Sequence, residues 1–348
     1  MHMLQKLLIY GANGYTGQLI CEAAAQKGMQ PVLAGRTEKN IKPLADKYQW
    51  DYRIFPLDSV QEIIRQLEGI TAVLHAAGPF RFTAENMILA CLEKGVHYLD
   101  ITGEIEVFAL AHRMDSRAKE KNVMLMPGTG FDVVPTDCMG LMLKEKLPDA
   151  TSLELAFVTL GGQVSHGTAM SMTAKLGEGG ACRKDGKLIR EPLGKFSKTL
   201  PVNGKETFVM SIPWGDVFTA HHTTGIANIH TYTGIPKQLY YLLKFQFLFN
   251  PLLRTETVRN WMRKKIDSRP AGPTPEKRAK AKSFIWGEVT NGKGDIERHS
   301  FWVPEGYTLT AATAVAIAQR VLNGDWKTGY QTPAGCYGIG LIEPFLLK

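Results

Sequence analysis

The sequence predicts an α/β protein: a Rossmann-type, doubly wound parallel sheet followed by a second α+β domain with a mainly antiparallel sheet. Three observations carry that expectation. An apolar run, Leu7-Leu8-Ile9-Tyr10, enters a turn with glycines at every third position, Gly11, Gly14 and Gly17, and an amphipathic segment follows directly. Short apolar runs then alternate with helical patterns as far as Met126, and strands separated by crossover helices lie parallel in one sheet. From about residue 151 the rhythm changes to strand patterns with turns between them, as in an antiparallel sheet.

In order, strands are expected at residues 7–10, 31–36, 52–57, 71–77, 96–101 and 123–126. Between them fall helices at 18–27, 38–48, 60–67, 83–94 and 105–121. The 60–67 helix is read from Val60, Ile63, Ile64 and Leu67, whose spacing follows the 3.6-residue period. Right-handed crossovers make the Rossmann strand order the natural arrangement. In the second domain, 152–158 alternates as a strand and 167–177 is helical, while 187–189 and 206–212 are strand-like. Residues 284–290 and 297–303 flank Asn291-Gly292, a two-residue hairpin signal. Residues 308–322 form a closing helix, and 270–275 is the most linker-like stretch. The expected domains are 1–130, with 325–348 packing back on it, and 131–324 for substrate binding and dimerisation.

Composition narrows the class. The chain has 348 residues, of which 44% are hydrophobic and 21% charged, so a sizeable soluble core is expected. Cys21, Cys91, Cys138, Cys182 and Cys336 are dispersed, fit no metal-ligand spacing and follow no secretory signal. They read as reduced thiols of a cytoplasmic protein without a metal. The net charge of +8 is concentrated between Arg254 and Lys282. No zinc-finger spacing or RNP-like aromatic motif accompanies it, which excludes the common nucleic-acid modules.

The glycine turn carries the first chemistry. Gly11 permits a sharp exit from the strand, Gly14 lets a pyrophosphate approach backbone, and Gly17 lets the helix pack closely on the sheet. The helix N-terminus then faces the phosphates. The dinucleotide contacts expected here are Gly11, Ala12, Asn13, Gly14, Tyr15, Thr16 and Gly17. At the end of the second strand stands Arg36, where an NAD site places a carboxylate for the ribose hydroxyls. A guanidinium there suits a 2′-phosphate, so the cofactor expected is NADP(H). Ala77, Gly78 and Pro79 follow the fourth strand and run beside the ribose and nicotinamide. Asp100, Thr102 and Glu104 follow the fifth strand; Thr102 as the N-cap of the next helix, with Glu104 in its first turn, and a site role are equally open.

Proton transfer points to the junction and to the second domain. Asp132 either meets substrate or caps the helix that contains Val134. His166, Lys175, Asp216, His221 and His222 are polar enough to donate a proton beside a hydride source. Asp132, His166 and Lys175 are taken as the catalytic candidates. Tyr98 has no lysine four residues on, which argues against short-chain-dehydrogenase chemistry.

Residues 235–253 are dense in Leu, Tyr and Phe but interrupted by Lys237, Lys244 and Pro251, short of the ~20 apolar residues of a spanning helix. With the basic run behind it, 235–265 resembles a segment lying in a membrane interface. A buried helix or a homodimer interface is the commoner use of such a pattern and the reading preferred on the sequence alone.

Together these motifs resemble the saccharopine dehydrogenase-like oxidoreductases, within them the branch that includes trans-acting enoyl reductases. The resemblance rests on Tyr10 to Gly17, Ala34-Gly35-Arg36, Ala77 to Phe80, His97 to Glu104 and Gly130 to Asp137. It continues through Gly167 to Ala169, Leu176 to Gly180, Arg183 to Gly186, Ile212 to Asp216, Thr224 to Ile226, Trp286 to Glu288, Pro304 to Thr310 and Gln331 to Gly335. It implies an NADP-binding Rossmann domain joined to an α+β domain with the cofactor in the cleft between them. It also implies reduction of an enoyl or carbonyl group in a small, apolar, lipid-like substrate. One rival is a saccharopine-type dehydrogenase acting on a C–N bond of an amino-acid adduct, which needs convergent arginines; Arg183 and Arg190 are the nearest. Another is a non-catalytic NADP-binding scaffold at a membrane surface.

Overall fold

The computed structural model describes residues 5–347. The chain divides into two compact units, one running to Asp132 and including Tyr307–Cys336, the other comprising Val133–Gly306 and the chain from Tyr337 on.

The first unit opens with β1 (Leu7–Tyr10), α1 (Tyr15–Gln26), β2 (Val32–Gly35), α2 (Glu38–Tyr48) and β3 (Tyr52–Ile54). It continues through α3 (Val60–Gln66), β4 (Ala72–His75), α4 (Phe80–Lys94), β5 (His97–Asp100), α5 (Ile105–Arg113), α6 (Asp115–Glu120) and β6 (Met124–Met126). These six strands lie in the order β3-β2-β1-β4-β5-β6, and every pair is parallel. Helices cover both faces of such a sheet, which is why β1, β2, β4 and β5 are buried at every residue. β1 lies between β2 and β4, with Tyr10 opposite Ala34 on one side and His75 on the other. The strand order reverses there, and ligands of doubly wound sheets lie beyond the carboxyl ends of the strands at that point.

In this unit three helices differ from expectation, α1 by starting at Tyr15 rather than 18. The stretch 105–121 is two helices that break at Met114. The helix expected from 83 starts at Phe80, because the Glu104 carboxylate accepts its first free N–H groups, those of Phe80 and Arg81.

The second unit is built from α7 (Val134–Lys146), β7 (Ala150–Leu160), α8 (His166–Ala174), β8 (Gly180–Lys184), β9 (Lys187–Glu191), β10 (Ser197–Val202) and β11 (Lys205–Ser211). It goes on through α9 (Asp216–Thr224), β12 (Asn228–Gly234), α10 (Lys237–Lys244), α11 (Asn250–Leu253), α12 (Glu256–Asp267), α13 (Pro275–Lys280), β13 (Lys282–Asn291) and β14 (Ile296–Pro304). The sheet order is β10-β11-β12-β7-β13-β14, with the β8–β9 hairpin attached to β12. Only the β12–β7 pair is parallel, so the sheet is mainly antiparallel. Its core includes Val158, Leu200, Val209, Tyr232 and Trp286. α7 presses so closely on the sheet that a Cβ at Gly287 would lie 2.6 Å from Met139 Cγ. The β13–β14 hairpin forms, but its loop is Gly292–Asp295, longer than the two-residue turn expected. Asn291 Oδ1 explains this by accepting the N–H groups of Lys293 and Asp295. Among the described residues, no helix is long and apolar enough to cross a membrane.

The chain then completes the first unit with α14 (Gly306–Leu322) and β15 (Gly329–Tyr330), the latter pairing parallel with β6 as a seventh strand. The expected boundaries assigned 308–322 to the second domain and 325–348 to the first, whereas the compact units assign Tyr307–Cys336 to the first and the chain from Tyr337 on to the second. The reason lies in specific bonds. Thr310 Oγ1 accepts the N–H of Phe131, and Thr313 Oγ1 donates to the carbonyl of Thr129. A short helix, α15 (Pro333–Tyr337), follows.

Candidate functional site

The glycine turn is held by contacts no other residue permits. Gly11 has φ +82°, and a Cβ on it would lie 2.8 Å from the Cβ of Ala77. A Cβ at Gly17 would fall inside van der Waals contact with the carbonyl oxygen of Gly11. Gly14 is the N-cap of α1 and offers no side-chain cap, and the first turn of α1 carries no acidic residue. An anion at this helix end therefore meets no competing carboxylate. The fold thus brings the turn after β1 against the loop after β4, joining two of the expected cofactor segments.

The end of β2 closes the other side. Ala34 O accepts the N–H groups of Gly11 and Ala12 at 2.8 and 3.3 Å. Asn13 Oδ1 would be 3.2 Å from a Cβ on Gly35, so the Asn13 side chain lies over the strand end, one residue before Arg36. Arg36 is exposed, and no hydrogen bond or ion pair to it occurs among the described residues. Glu38, two residues on, accepts the Tyr52 hydroxyl at 2.8 Å. Beside this corner lies an open groove of about 520 Å³ lined by Asn13, Gln18, Lys39, Asn40, Pro43 and Leu44. The residues present fit a phosphorylated adenosine: space that glycine alone leaves, an uncapped helix end and an unpaired guanidinium.

Behind the turn, the loops after β4, β5 and β6 are tied into a scaffold. The peptide bond between Gly78 and Pro79 is cis. Thr83 Oγ1 donates to Ala77 O at 2.8 Å and lies 3.0 Å from His75 Nε2, so that nitrogen carries the hydrogen. His75 is wholly buried, and burial pushes its pKa down to about 3. It is neutral at physiological pH and is no store of protons. Asp100 is equally buried and accepts from Tyr98 Oη, Thr102 N and Gly128 N. Burial pushes its carboxyl up to about 7 despite those donors. Glu104 accepts Phe80 N and Arg81 N, each at 3.0 Å, and Thr102 Oγ1 accepts Glu104 N. The expected cap, Thr102 on the helix that follows, does not form: the N-cap residue of α5 is Glu104, whose own N–H meets Thr102 Oγ1. The helix capped by the Glu104 carboxylate is α4, and α5, which Glu104 precedes, has no side-chain cap.

The catalytic candidates are less concentrated. Asp132 lies against Gly103, whose added Cβ would be 2.6 Å from Asp132 Oδ2. In the second unit, His166 opens α8 and its Nε2 is 2.9 Å from Asp267 Oδ1 of α12. Lys175 is the C-cap of the same helix. Nine residues of helix set the two about 13 Å apart along the axis and on opposite sides, so they do not converge on one reacting atom. His221 Nδ1 is 2.8 Å from the carbonyl of Ile226.

Residues 7–126 match the saccharopine dehydrogenase NADP binding domain. That segment, about a third of the chain, is similar to the NADP-binding domain of saccharopine dehydrogenases. The saccharopine dehydrogenase-like oxidoreductase of Rattus norvegicus is 28% identical over 204 residues, 51% of this chain and 48% of that protein. The lipid droplet localized protein of Caenorhabditis elegans is 26% identical, covering 53% and 48%. The trans-acting enoyl reductase of Mycobacterium ulcerans is more distant, at 24% over 38% and 34%. The chain spans about half the length of the first two. Apo saccharopine dehydrogenase (L-Glu forming) from Saccharomyces cerevisiae shares the fold, with a TM-score of 0.67 at 14% identity over 99% of both chains.

The matched segment is an NADP-binding domain, in agreement with the expectation from Arg36. Five of the six groove residues escaped the sequence reading: Gln18, Lys39, Asn40, Pro43 and Leu44. The available signal was Lys39, a second cation three residues beyond Arg36 at the start of a helix.

Proposed function

We propose that the chain is an NADPH-dependent oxidoreductase that reduces an enoyl or carbonyl group of a lipid-like substrate while resting on a membrane surface. The observation that carries this reading is an apolar band on the second unit. Tyr241, Leu242, Phe245, Phe247, Leu248, Phe249 and Leu252 are each at least 52% exposed. An exposed patch of this kind marks an interaction surface, and aromatic side chains suit the headgroup boundary. Lys237 and Lys244 on α10 and Lys264 and Lys265 on α12 flank it, each able to add about 1 kcal/mol toward an anionic surface. The relative found on lipid droplets supports the same reading.

NADPH, when bound, supplies a hydride to the acceptor carbon. In this reading Gly11, Ala12, Asn13, Gly14, Tyr15, Thr16 and Gly17 hold the pyrophosphate through backbone N–H groups and the α1 N-terminus. Arg36 holds the 2′-phosphate, and Ala77, Gly78 and Pro79 shape the nicotinamide end. Asp132, His166 and Lys175 are the groups assigned to substrate or proton contact. The amino-acid-adduct rival is disfavoured by Arg183. Its Nε donates to Val217 O at 2.8 Å, its NH1 donates to Gly186 O at 2.6 Å, and its guanidinium lies over the Phe218 ring. Arg190 is exposed on β9.

The test pairs flotation on anionic vesicles with NADPH consumption on enoyl and carbonyl lipids and on saccharopine. Flotation that is lost in Phe245→Glu/Phe249→Glu, with turnover of a lipid, supports the proposal. Turnover of saccharopine alone favours the rival. Tight NADPH binding without any turnover favours the scaffold, and a dimer dissociated by the same substitutions makes the band a subunit contact.

A further inference from the structure

We infer that Cys182, Glu191 and His230 form a binding site for one zinc-like divalent cation, which clips the β8–β9 hairpin to β12. The register of three strands assembles it. β8 and β9 pair with Gly180 opposite Glu191, and β12 and β8 pair with Ile229 opposite Arg183. In antiparallel strands the next pair along sets His230 across from Cys182, and Glu191 is the diagonal neighbour of Cys182 on the same face. The Cys182 Sγ, a Glu191 carboxylate oxygen and a His230 ring nitrogen all lie within 4.8 Å of one another. Thiolate, carboxylate and imidazole are together a zinc donor set, and a fourth position is left for water. Zinc bonds of about 2.0–2.3 Å require donor separations near 3.5 Å, which small side-chain rotations supply.

The surroundings favour an occupant. The Glu191 side chain is 5% exposed, with Lys195 Nζ 3.5 Å from Oε2. That same buried oxygen receives no hydrogen bond. Cys182 is buried, and the Phe196 ring stands edge-on to His230 at 5.0 Å, limiting where the imidazole can swing. The plain alternative is that Cys182 S–H donates to Glu191 and Lys195 balances the charge. Cation uptake replaces that arrangement: the Sγ–H proton passes to solvent and Lys195 moves out. The dispersed cysteine spacing hides such a site, because its ligands come from a hairpin and a strand 39 residues beyond it.

The test uses the whole chain, freed of metal and titrated with Co²⁺ and then Zn²⁺. The expected result is a thiolate-to-cobalt charge-transfer band that saturates at one equivalent and is displaced by Zn²⁺, with a rise in Tm. Cys182→Ser abolishes the band, His230→Gln weakens affinity at least tenfold, and Cys336→Ser leaves both unchanged. Absence of the band in the unsubstituted protein, or its persistence in Cys182→Ser, overturns the site. Should Cys182→Ser fail to fold, an unchanged affinity in His230→Gln overturns it equally.

Discussion

Glu104 Oε1 accepts the backbone N–H of Phe80 at 3.0 Å, across 24 residues of sequence. Its second oxygen takes the N–H of Arg81, so one buried carboxylate closes the N-terminus of α4 and fixes the loop that carries Gly78 and Pro79. Glu104→Ala strands both donors and should destabilise the protein by about 2–3 kcal/mol, read from urea unfolding. Glu104→Gln keeps one acceptor and should cost roughly half as much.

The two helix-side glycines differ in how much room they leave. Gly17→Ala drives a methyl into the carbonyl of Gly11, whereas at Gly14 the same methyl would sit 3.3 Å from that oxygen. Overpacking of the first kind costs about 1–3 kcal/mol. Gly17→Ala should lower Tm clearly and weaken NADPH binding, with Gly14→Ala much milder in Tm. Equal Tm losses would show that the close approach at Gly17 is not limiting.

Arg36 and Lys39 should govern cofactor choice. Arg36→Asp is expected to reduce the ratio of NADPH to NADH affinity at least tenfold, which is about 1.4 kcal/mol. Lys39→Ala should weaken NADPH several-fold, more at low salt, and leave NADH unchanged. Fluorescence titration of both cofactors checks each value, and an unchanged ratio in Arg36→Asp removes the 2′-phosphate assignment.

Stability should respond to acid through two histidines and one aspartate of opposite sign. Burial pushes His75 down to about 3 and His97 down to about 4. His97 must also stay neutral to accept Met124 N at Nδ1. Their folded pKa values lie below the unfolded one, so the unfolded chain takes up protons first and stability falls as pH drops below about 6.5. Asp100, pushed up to about 7 by burial, holds its proton better when folded, so its contribution is full below about 4 and is lost as pH rises toward 7. Each group contributes up to about 1.4 kcal/mol per pH unit. Asp100→Asn mimics the protonated carboxyl and should steepen the loss of stability between pH 6.5 and 4, measured by urea unfolding across that range. His97→Gln should flatten it.

The parallel core was legible because its strands are short, mostly apolar and punctuated by glycine or proline. β1, β2, β4, β5 and β6 fall within two residues of where the pattern puts them. β15 was not, because two residues, Gly329 and Tyr330, carry no periodicity. The helix before it was visible, but nothing local in 308–322 says which sheet it covers. That information resides in the hydroxyls of Thr310 and Thr313 and their partners some 180 residues away. β8, β10 and β12 were missed because their sequences mix polar and apolar residues without strict alternation. At the candidate site, the glycines and Arg36 could be read from local geometry, whereas the fate of Glu104 depended on where α4 begins.

The late arrival of α14 and β15 sets an order of assembly. A chain emerging from its N-terminus presents β1 to β6 first, yet Phe131 N and Thr129 O wait for Thr310 and Thr313, and the β6 edge waits for Gly329 and Tyr330. All of the second unit's sheet strands are synthesised in between. The nucleotide-binding unit thus begins before the second unit and closes only after every strand of the second unit's sheet has been made. A fragment cut after Asp132 would carry the whole glycine turn and still lack the wall against which its final loop is built.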